Sequence, residues 1–398
     1  MTFIKDPIHG LIKISPLQED LISSPEMQRL GWVKQLSLTK LIFPGANHTR
    51  LEHSIGVSHI AGQMADSLEL EDTEKDLVQV AGVLHDVGHG PFSHALEGLF
   101  PISHEERTQQ IILGKWASNI PGAGEIPNLL ESQGIDPTEV AQLVSGEHKS
   151  HYLRSIIHSE VDADRLDYTS RDAHYTGLLT RPEIDRTVMV LTRQGDEMAV
   201  EEKGIPAVET LLFYRTMLFT SIYNHHANNI ASRMLEKATH AALPHLEDIE
   251  NMTDDELMVA LTNHGGLPKE LIERIRYREL YKRAFEIKSR TTSQQELALY
   301  EKARHYSLEQ IESKITNELE LNEADVLASF PRGTPSAKTM DLKVFTKQGE
   351  LRPIMEMSSI LEALSKINPT NVLFAIYSKP ELRDAISTAA RQYIEEGF

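Results

Sequence analysis

The most informative segment of this sequence is Val80-Ala81-Gly82-Val83-Leu84-His85-Asp86-Val87-Gly88-His89-Gly90-Pro91. In it, an apolar helical segment runs into a histidine and an aspartate and then ends at glycine and proline. A carboxylate at the end of a buried helix costs free energy unless it is paired or binds a cation. Imidazole nitrogen and carboxylate oxygen are common ligands of zinc, iron, manganese and nickel. Taken alone, the pair His85-Asp86 is a weak signal, because a loop-capping hydrogen bond is the simpler explanation of one dipeptide.

Around this stretch, apolar residues recur near every 3.6 positions over most of the chain, and alternating runs are short. The pattern predicts a mainly α protein with a multi-helical core, small β-hairpins and a C-terminal α+β appendage. We expect the core over residues 1–245, a charged helical region over 246–325 and a small α+β region over 326–398. The expected elements are hairpins over 3–14 and 187–200, a loop over 119–137, strands over 342–345 and 372–377, and helices over 51–68, 74–84, 138–145, 151–170, 207–241, 269–289, 295–320, 358–367 and 380–396.

The composition excludes several classes of protein. The chain has 398 residues with 40 Lys+Arg and 59 Asp+Glu, a formal charge of −19. Such acidity disfavours nucleic acid and anionic membrane surfaces as partners, although a local group of Arg and His can still bind a small anion. There are no cysteines, so thiolate nucleophiles, iron–sulfur clusters and Cys-ligated zinc are excluded. No apolar run approaches the roughly 20 residues of a membrane helix and no signal core begins the chain, so we expect a cytoplasmic protein.

Further histidines and acids strengthen the signal at His85-Asp86. The chain has 18 histidines, and six of them fall between residues 53 and 104. Downstream, four acids crowd into the short stretch 160–167. Helical spacing places Asp164, Tyr168 and Asp172 on one face. A metal ion and a phosphate could share that face.

The order His53, His85-Asp86, Asp164 resembles the signature of the HD-domain metal-dependent phosphohydrolases. A finer series resembles their deoxynucleoside triphosphate triphosphohydrolase branch, which includes SAM- and HD-domain enzymes and bacterial and archaeal relatives. The resemblance covers about residues 3 to 235. The segments that carry it are Asp6-Pro7-Ile8-His9-Gly10, Gln28-Arg29-Leu30, Lys34-Gln35-Leu36, Phe43-Pro44-Gly45-Ala46, Arg50-Leu51-Glu52-His53-Ser54, His85 to His94, His104-Glu105 and Asp164 to Asp172.

The resemblance implies a reaction and a metal site. In the family, one metal ion activates a water that attacks the α-phosphate and expels the nucleoside, leaving inorganic triphosphate. A divalent cation is implied, with Fe, Mn, Zn, Ni and Mg all open, and further Mg could accompany the nucleotide. His94 and His104 become candidates for the acid that protonates the leaving 5′-oxygen, with His89 as a nearby phosphate contact. The implied metal ligands are His53, His85, Asp86 and Asp164.

The resemblance also implies how a substrate is held. Arg50, Arg165 and Arg215 would bind phosphate, with Tyr168 adding a hydroxyl. Gln35 and Asp172 would bind the 3′-hydroxyl, and Tyr223 would pack against C2′ with Leu36 alongside. The family also implies a homo-oligomer, a dimer or a tetramer.

Three departures leave alternatives open. Arg165 stands where the family often has Lys, and Phe219 stands where it has His. Two of the three contacts of the animal enzymes' guanine-nucleotide site are missing, since Ser23, Gln28 and Gly31 occupy those positions. A phosphohydrolase for another nucleotide ester, or a non-catalytic nucleotide-binding protein, therefore remains an alternative.

Overall fold

The hydrophobic periodicity correctly predicts a mainly helical fold. A computed structural model describes residues 2–178, 182–288, 293–330, 341–367 and 372–396. The chain forms two units, one of Met1–Leu218, Glu247–Leu257 and Ala337–Ile367, the other of Phe219–Leu246, Met258–Ser336 and Asn368–Phe398. The three consecutive regions expected from the sequence are a different division of the chain and stay a prediction.

The elements of the chain as far as Leu218 belong to the first unit. They are β1 (Thr2–Asp6), β2 (Gly10–Ile14), α1 (Pro16–Ser23), α2 (Pro25–Leu30), α3 (Arg50–Ser67), α4 (Asp72–Leu84), α5 (His104–Ile112), α6 (Ile126–Ser132), α7 (Pro137–Val144), α8 (His151–Ile157), α9 (Ala163–Thr176), α10 (Ile184–Met189), β3 (Leu191–Gln194), β4 (Glu197–Glu201) and α11 (Ile205–Leu218).

After Leu218 the chain contributes to both units. A π-helical turn over Phe219–Tyr223 is followed by α12 (His226–Ala242), α13 (Asp254–His264), α14 (Gly266–Arg276), β5 (Lys282–Lys288), α15 (Gln294–Ala303), α16 (Leu308–Glu318), β6 (Val326–Ser329), β7 (Lys343–Phe345), β8 (Leu351–Pro353), α17 (Ser359–Ser365), β9 (Val372–Ser378) and α18 (Arg383–Glu396).

Helices α3, α4 and α9 form the centre of the first unit. Thr49 and Glu52 form a capping box that fixes the start of α3, since each side chain accepts a hydrogen bond from the other's backbone N–H. Gly56 permits the close approach of α3 and α9, because a Cβ there would lie 2.0 Å from Asp167 Oδ1. The apolar core of this unit includes Val57, Ile60, Val80 and Leu84. The packing brings the first turns of α3 and α9 together with the end of α4.

Small sheets complete both units. In the first unit, β1 pairs with β2, and the strand order of a four-stranded sheet is β3-β4-β7-β8. Both predicted hairpins are therefore confirmed. In the second unit, β9 lies between β5 and β6, and a cluster that includes Phe285, Ile315 and Phe374 is buried there. Among the residues that the structure describes, no helix combines the length and the apolar character needed to cross a membrane.

Five local predictions are wrong. The helix expected over 295–320 is the two helices α15 and α16. The loop expected over 119–137 contains α6, and the helix expected over 151–170 is two helices, because Asp162 caps a new helix by accepting from Arg165 N–H. The helix expected over 207–241 is interrupted between α11 and α12. The last part of the helix expected over 269–289 is strand β5, which buries Phe285 and Ile287 at alternate positions. The charged residues of this strand give its sequence the pattern that is typical of a solvated helix face.

Candidate metal centre and nucleotide site

The four predicted metal ligands meet at one point of the first unit. His53 lies in α3, His85 and Asp86 follow α4, and Asp164 lies in the first turn of α9. His53 Nε2 is 2.9 Å from Asp164 Oδ1 and 3.8 Å from Asp86 Oδ2. His85 Nε2 is 3.4 Å from Asp86 Oδ1 and 3.8 Å from Asp164 Oδ1. We call these residues the four-residue cluster.

The outer ring nitrogens of both histidines are held by other groups. His53 Nδ1 lies 2.7 Å from Asp167 Oδ2, and His85 Nδ1 lies 2.9 Å from the carbonyl oxygen of Gly82. A metal-binding histidine is usually oriented in this way, through a carboxylate or a backbone carbonyl on its far nitrogen. Both Nε2 atoms are thus directed into the cluster.

Asp167 is itself fixed by a network that the sequence does not reveal. His9 Nε2 lies 2.6 Å from Asp167 Oδ1, and Arg171 donates to both carboxylate oxygens at 2.8 and 2.9 Å. Arg171 also donates to Asp6 Oδ2 at 2.9 Å. The segment of residues 6–10 therefore contributes to the site from behind His53. Its position in the family series is the one sequence signal that could have identified it.

The donor set fits a divalent metal ion. The Nε2 atom of His85 is buried and has no hydrogen-bond partner among the described residues. Neighbouring ligands of a first-row metal, at about 2.0–2.2 Å from the ion, stand roughly 3 to 4 Å apart, as these atoms do. Burial lowers the pKa of His53, but hydrogen bonds to Asp164 and Asp167 outweigh it and raise that pKa to about 10. A cation at His53 Nε2 would face the same carboxylate of Asp164 that favours the protonated ring.

Arg50 borders the cluster on the side of Asp86. Its NH1 donates to Asp86 Oδ2 and its Nε donates to Ser93 Oγ at 2.7 Å. The side chain is buried, at 2% exposure for the residue. A surface ion pair with Glu52 is therefore not its role here. A guanidinium fixed beside metal-binding carboxylates is well placed to bind a phosphate.

His89, His94 and His104 form a second group of histidines, which we call the histidine group. The rings of His89 and His104 stack at 3.8 Å with an interplanar angle of 18°, and His94 meets both edge-on. Nitrogen atoms of all three lie within 4.8 Å of one another. Lone pairs lie in the ring plane, so the two stacked rings direct them side by side rather than toward one ion. This geometry suits hydrogen bonding and proton transfer better than metal binding.

One acid orients two members of this group. Glu97 Oε2 lies 3.0 Å from His94 Nδ1, and Glu97 Oε1 bonds with His104 Nδ1. Burial lowers the pKa of His94, with its hydrogen bond to Glu97 acting against this, whereas burial followed by the charges of Arg50 and His104 holds the pKa of His89 well below the usual value. A nearby cation would lower that pKa further. His89 is therefore the weakest candidate for the acid, and His94 and His104 are the stronger ones.

The other predicted phosphate ligands are paired with acids. Arg165 NH1 donates to Asp162 Oδ2 at 2.8 Å, and Arg215 NH1 donates to Glu160 Oε2 at 3.2 Å. Burial raises the pKa of Tyr168, with the two arginines acting against it. A substrate phosphate would have to compete with Glu160 for Arg215.

Two predicted sugar ligands meet through a residue that was not predicted. His48 Nε2 lies 2.7 Å from Asp172 Oδ1, and the backbone N–H of Gln35 donates to the His48 carbonyl at 3.1 Å. The Gln35 Oε1 atom is buried, and no hydrogen bond to it occurs within the described ranges. Leu36 follows and is half-buried. An amide oxygen without a partner is available to a ligand hydroxyl.

Tyr223 lies in the second unit, at the end of the π-helical turn. Its ring packs edge-to-face against Phe219, with centroids 4.9 Å apart and planes at 89°. Phe219 thus takes part in an aromatic contact at the position where the family has His. The role of Tyr223 at the sugar stays a prediction.

Two buried arginines hold the turn after Asp86. Arg29 donates to the carbonyl oxygens of Val87 and His89 at 3.2 and 2.5 Å, and Arg107 Nε donates to that of Gly88. Burial, with the charge of Arg107, lowers the pKa of Arg29 to about 9. Three consecutive carbonyls are thereby fixed beside Asp86, a predicted metal ligand. Only Arg29 belongs to a predicted segment, and nothing in the sequence signals Arg107.

Comparison with known proteins agrees with this geometry. A family model described as HD domain matches residues 50–172, and one described as HD associated region matches residues 183–395. Uncharacterized protein YwfO of Bacillus subtilis is 37% identical over 247 residues, which cover 60% of this chain and 55% of the relative. Deoxynucleoside triphosphate triphosphohydrolase SAMHD1 of Gallus gallus is 28% identical over 348 residues, which cover 71% of this chain and 56% of the relative.

The chain thus spans somewhat more than half the length of these relatives. The crystal structure of a phosphohydrolase from Bacteroides thetaiotaomicron superposes with a TM-score of 0.75 at 24% identity, covering 95% of this chain and all of the other. That likeness concerns the fold.

Proposed function

Because this chain belongs to the family of HD-domain proteins with an HD-associated region, we propose that it is a metal-dependent phosphohydrolase that converts dNTP to deoxynucleoside and inorganic triphosphate. The observation that carries the proposal is the four-residue cluster with Arg50 on one side. His53, His85 and Asp86 offer ligand atoms within 4.8 Å of one another, and Arg50 is bonded to Asp86. A cation site bordered by a buried guanidinium is suited to a phosphoryl group.

The protein's own residues would divide the work as follows. The divalent cation would be held by His53, His85, Asp86 and Asp164. When bound, it would lower the pKa of a water molecule and neutralise charge on the phosphoryl oxygens. Arg50, which its bonds to Asp86 and Ser93 hold in place, would bind a phosphate through its guanidinium group. His94 or His104, each held by Glu97, donates the proton that the 5′-oxygen needs as it leaves.

Sugar selection would depend on Gln35 and Asp172. Gln35 Oε1, for which the described part of the chain offers no hydrogen-bond partner, would accept a hydrogen bond from a 3′-hydroxyl, and Asp172 is oriented by His48 for the same task. Tyr223 would exclude a 2′-hydroxyl by packing against C2′. The substrate partner in this proposal is a single nucleotide. We also propose a homo-oligomer, which light scattering of the purified chain tests directly.

The test is incubation of metal-loaded protein with each dNTP and NTP, followed by chromatography of the products. Deoxynucleoside with intact triphosphate supports the proposal. Binding of dNTP without any turnover would contradict it. The metal is identified by elemental analysis of protein purified without chelator.

A second candidate is hydrolysis of a nucleotide with fewer phosphates. Arg165 and Arg215 are paired with Asp162 and Glu160, and Arg50 is paired with Asp86, so each of the three predicted phosphate ligands already has an acidic partner. A mono- or diphosphate needs fewer cationic partners than a triphosphate. Stepwise release of inorganic phosphate in the same assay would favour this candidate.

A further inference from the structure

Asp254 joins two loops that carry predicted substrate residues. It is the first residue of α13 and is 5% exposed. Its Oδ2 accepts from the backbone N–H of Lys34 at 2.9 Å, and its Oδ1 accepts from that of Phe92 at 2.6 Å. Residues 247–257 belong to the same unit as both loops. A segment distant in sequence thus fixes two backbone positions at the site.

The two loops bear the groups that matter for substrate. Lys34 precedes Gln35, and Phe92 precedes Ser93 and His94. Ser93 Oγ donates to the Lys34 carbonyl at 3.2 Å and accepts from Arg50 Nε. The bonds of Asp254 and Ser93 therefore connect the loop that carries Gln35 to the loop that carries His94. Arg50 is joined to this connection by its bond to Ser93.

The conformation of the second loop needs such support. Phe92 and Ser93 have φ of 55° and 51°, in the left-handed region that residues other than glycine seldom adopt. Strained conformations of this kind persist where surrounding contacts over-determine them, and they concentrate at functional sites. The short bond from Phe92 N–H to Asp254 is one such contact.

Capping of its own helix does not account for Asp254. The start of α13 is capped by Thr253, whose Oγ1 accepts from the Glu256 N–H at 3.3 Å, while Glu256 Oε2 accepts from the Thr253 N–H at 2.7 Å. Both oxygens of Asp254 bond to other segments instead. A buried carboxylate costs free energy, so a role outside the helix is required to explain it.

We propose that Asp254 is a positioning residue that sets Gln35 and His94 for the reaction. This inference rests on the proposed function for its substrate, and it deepens that function by assigning a role to a residue of the HD-associated region. Asp254 touches none of the predicted metal ligands in any bond described above. Its loss should therefore leave the metal site intact and disturb the choice of substrate.

The experiment compares Asp254→Asn with Asp255→Asn, its exposed neighbour. Asparagine retains one acceptor oxygen, so one of the two loop bonds is lost. We expect kcat/KM for dNTP to fall tenfold or more in Asp254→Asn, with unchanged metal content, and to stay within twofold in Asp255→Asn. The ratio of kcat/KM for dNTP to that for the 2′,3′-dideoxy analogue should also narrow, because Gln35 would no longer be set against the 3′-hydroxyl.

The ratio distinguishes a loss of positioning from a simple loss of folded protein, because the latter would lower kcat/KM for both substrates by the same factor. An Asp254→Asn protein with wild-type kcat/KM and an unchanged ratio overturns the inference. If the wild-type protein hydrolyses no dNTP, the proposed function fails. The positioning role of Asp254 is then tested by the ratio of the dissociation constants for dNTP and for its dideoxy analogue, in the wild type and in Asp254→Asn.

If Asp254→Asn does not fold, hydrogen exchange of the wild-type protein tests whether Asp254 holds the two loops. The amides of Lys34 and Phe92 should then exchange far more slowly than free peptide amides. Unprotected amides at both positions overturn the inference.

Discussion

The buried carboxylate of Asp254 should make the stability of this protein depend on pH in a way that one substitution removes. Burial, opposed by hydrogen bonds from the Phe92 and Lys34 amides, raises the pKa of Asp254 from 3.8 to about 6. The folded state therefore holds this proton more tightly than the unfolded state. Between pH 4 and pH 6 the folded state binds more protons, so the contribution of Asp254 to stability falls as pH rises through that window.

The size of the effect follows from the shift. At 1.36 kcal/mol per pKa unit, a shift of roughly two units corresponds to about 3 kcal/mol, lost between pH 4 and pH 7. Asparagine does not titrate and is free of this loss. The free energy of unfolding of Asp254→Asn, minus that of the wild type, should therefore rise by about 3 kcal/mol in favour of the variant over that range.

Urea unfolding of both proteins at intervals from pH 4 to pH 7.5 measures this difference, and the other titrating groups cancel in it. A difference that stays constant with pH, or that moves in favour of the wild type, would refute the reasoning. A variant that is relatively more stable near pH 7 yet less active would mean that the ionised carboxylate is retained for function at a cost in stability.

Substitutions at four other residues test the site. Asp86→Ala should remove bound metal and activity together. If elemental analysis still finds the metal and the assay still finds activity, the assignment of Asp86 as a metal ligand is wrong. Glu160→Gln should lower KM for nucleotide by a factor of about 1.4 to 5 with kcat unchanged, because a partly exposed ion pair with Arg215 is worth about 0.2–1 kcal/mol. An unchanged KM would mean that Arg215 does not contact the substrate. Tyr223→Ala should narrow the preference for dNTP over NTP, whereas an unaltered ratio speaks against steric exclusion. Arg107→Met should weaken metal binding about tenfold as the Gly88 carbonyl loses its donor, and Arg107→Lys, measured by the same metal titration, should restore part of it.

The resemblance to a known family implied the four predicted metal ligands, whereas the pair His85-Asp86 alone is a weak signal. The structure brings these four side chains together at the end of α4 and the first turns of α3 and α9. Pairings across the fold have no such signal. Nothing local to Glu160 indicates that it meets Arg215, 55 residues away, and nothing near Asp254 indicates Lys34 or Phe92.

The errors in the fold have a similar origin. Strand β5 mixes charged and apolar residues in a stretch whose high charge is typical of a solvated helix. Its pairing with β9 decides which side of the strand is buried. The break before α9 depends on one capping bond from Asp162, which an unbroken helical pattern conceals. Short-range patterns identify the elements, whereas their ends are decided by contacts that sequence spacing does not contain.

Metal loading should itself prepare the site for a polyanion. Asp86 is paired with Arg50, and the two ring nitrogens of His53 face different acids, with Nε2 facing Asp164 and Nδ1 facing Asp167. A divalent cation that displaces a proton from Nε2 adds one unit of positive charge to a buried site, where it is weakly screened. A chain with a formal charge of −19 can therefore attract a nucleotide locally. Nucleotide should bind more tightly to the metal-loaded protein than to the chelated one in calorimetry, and equal affinities would mean that phosphate is held away from the cluster.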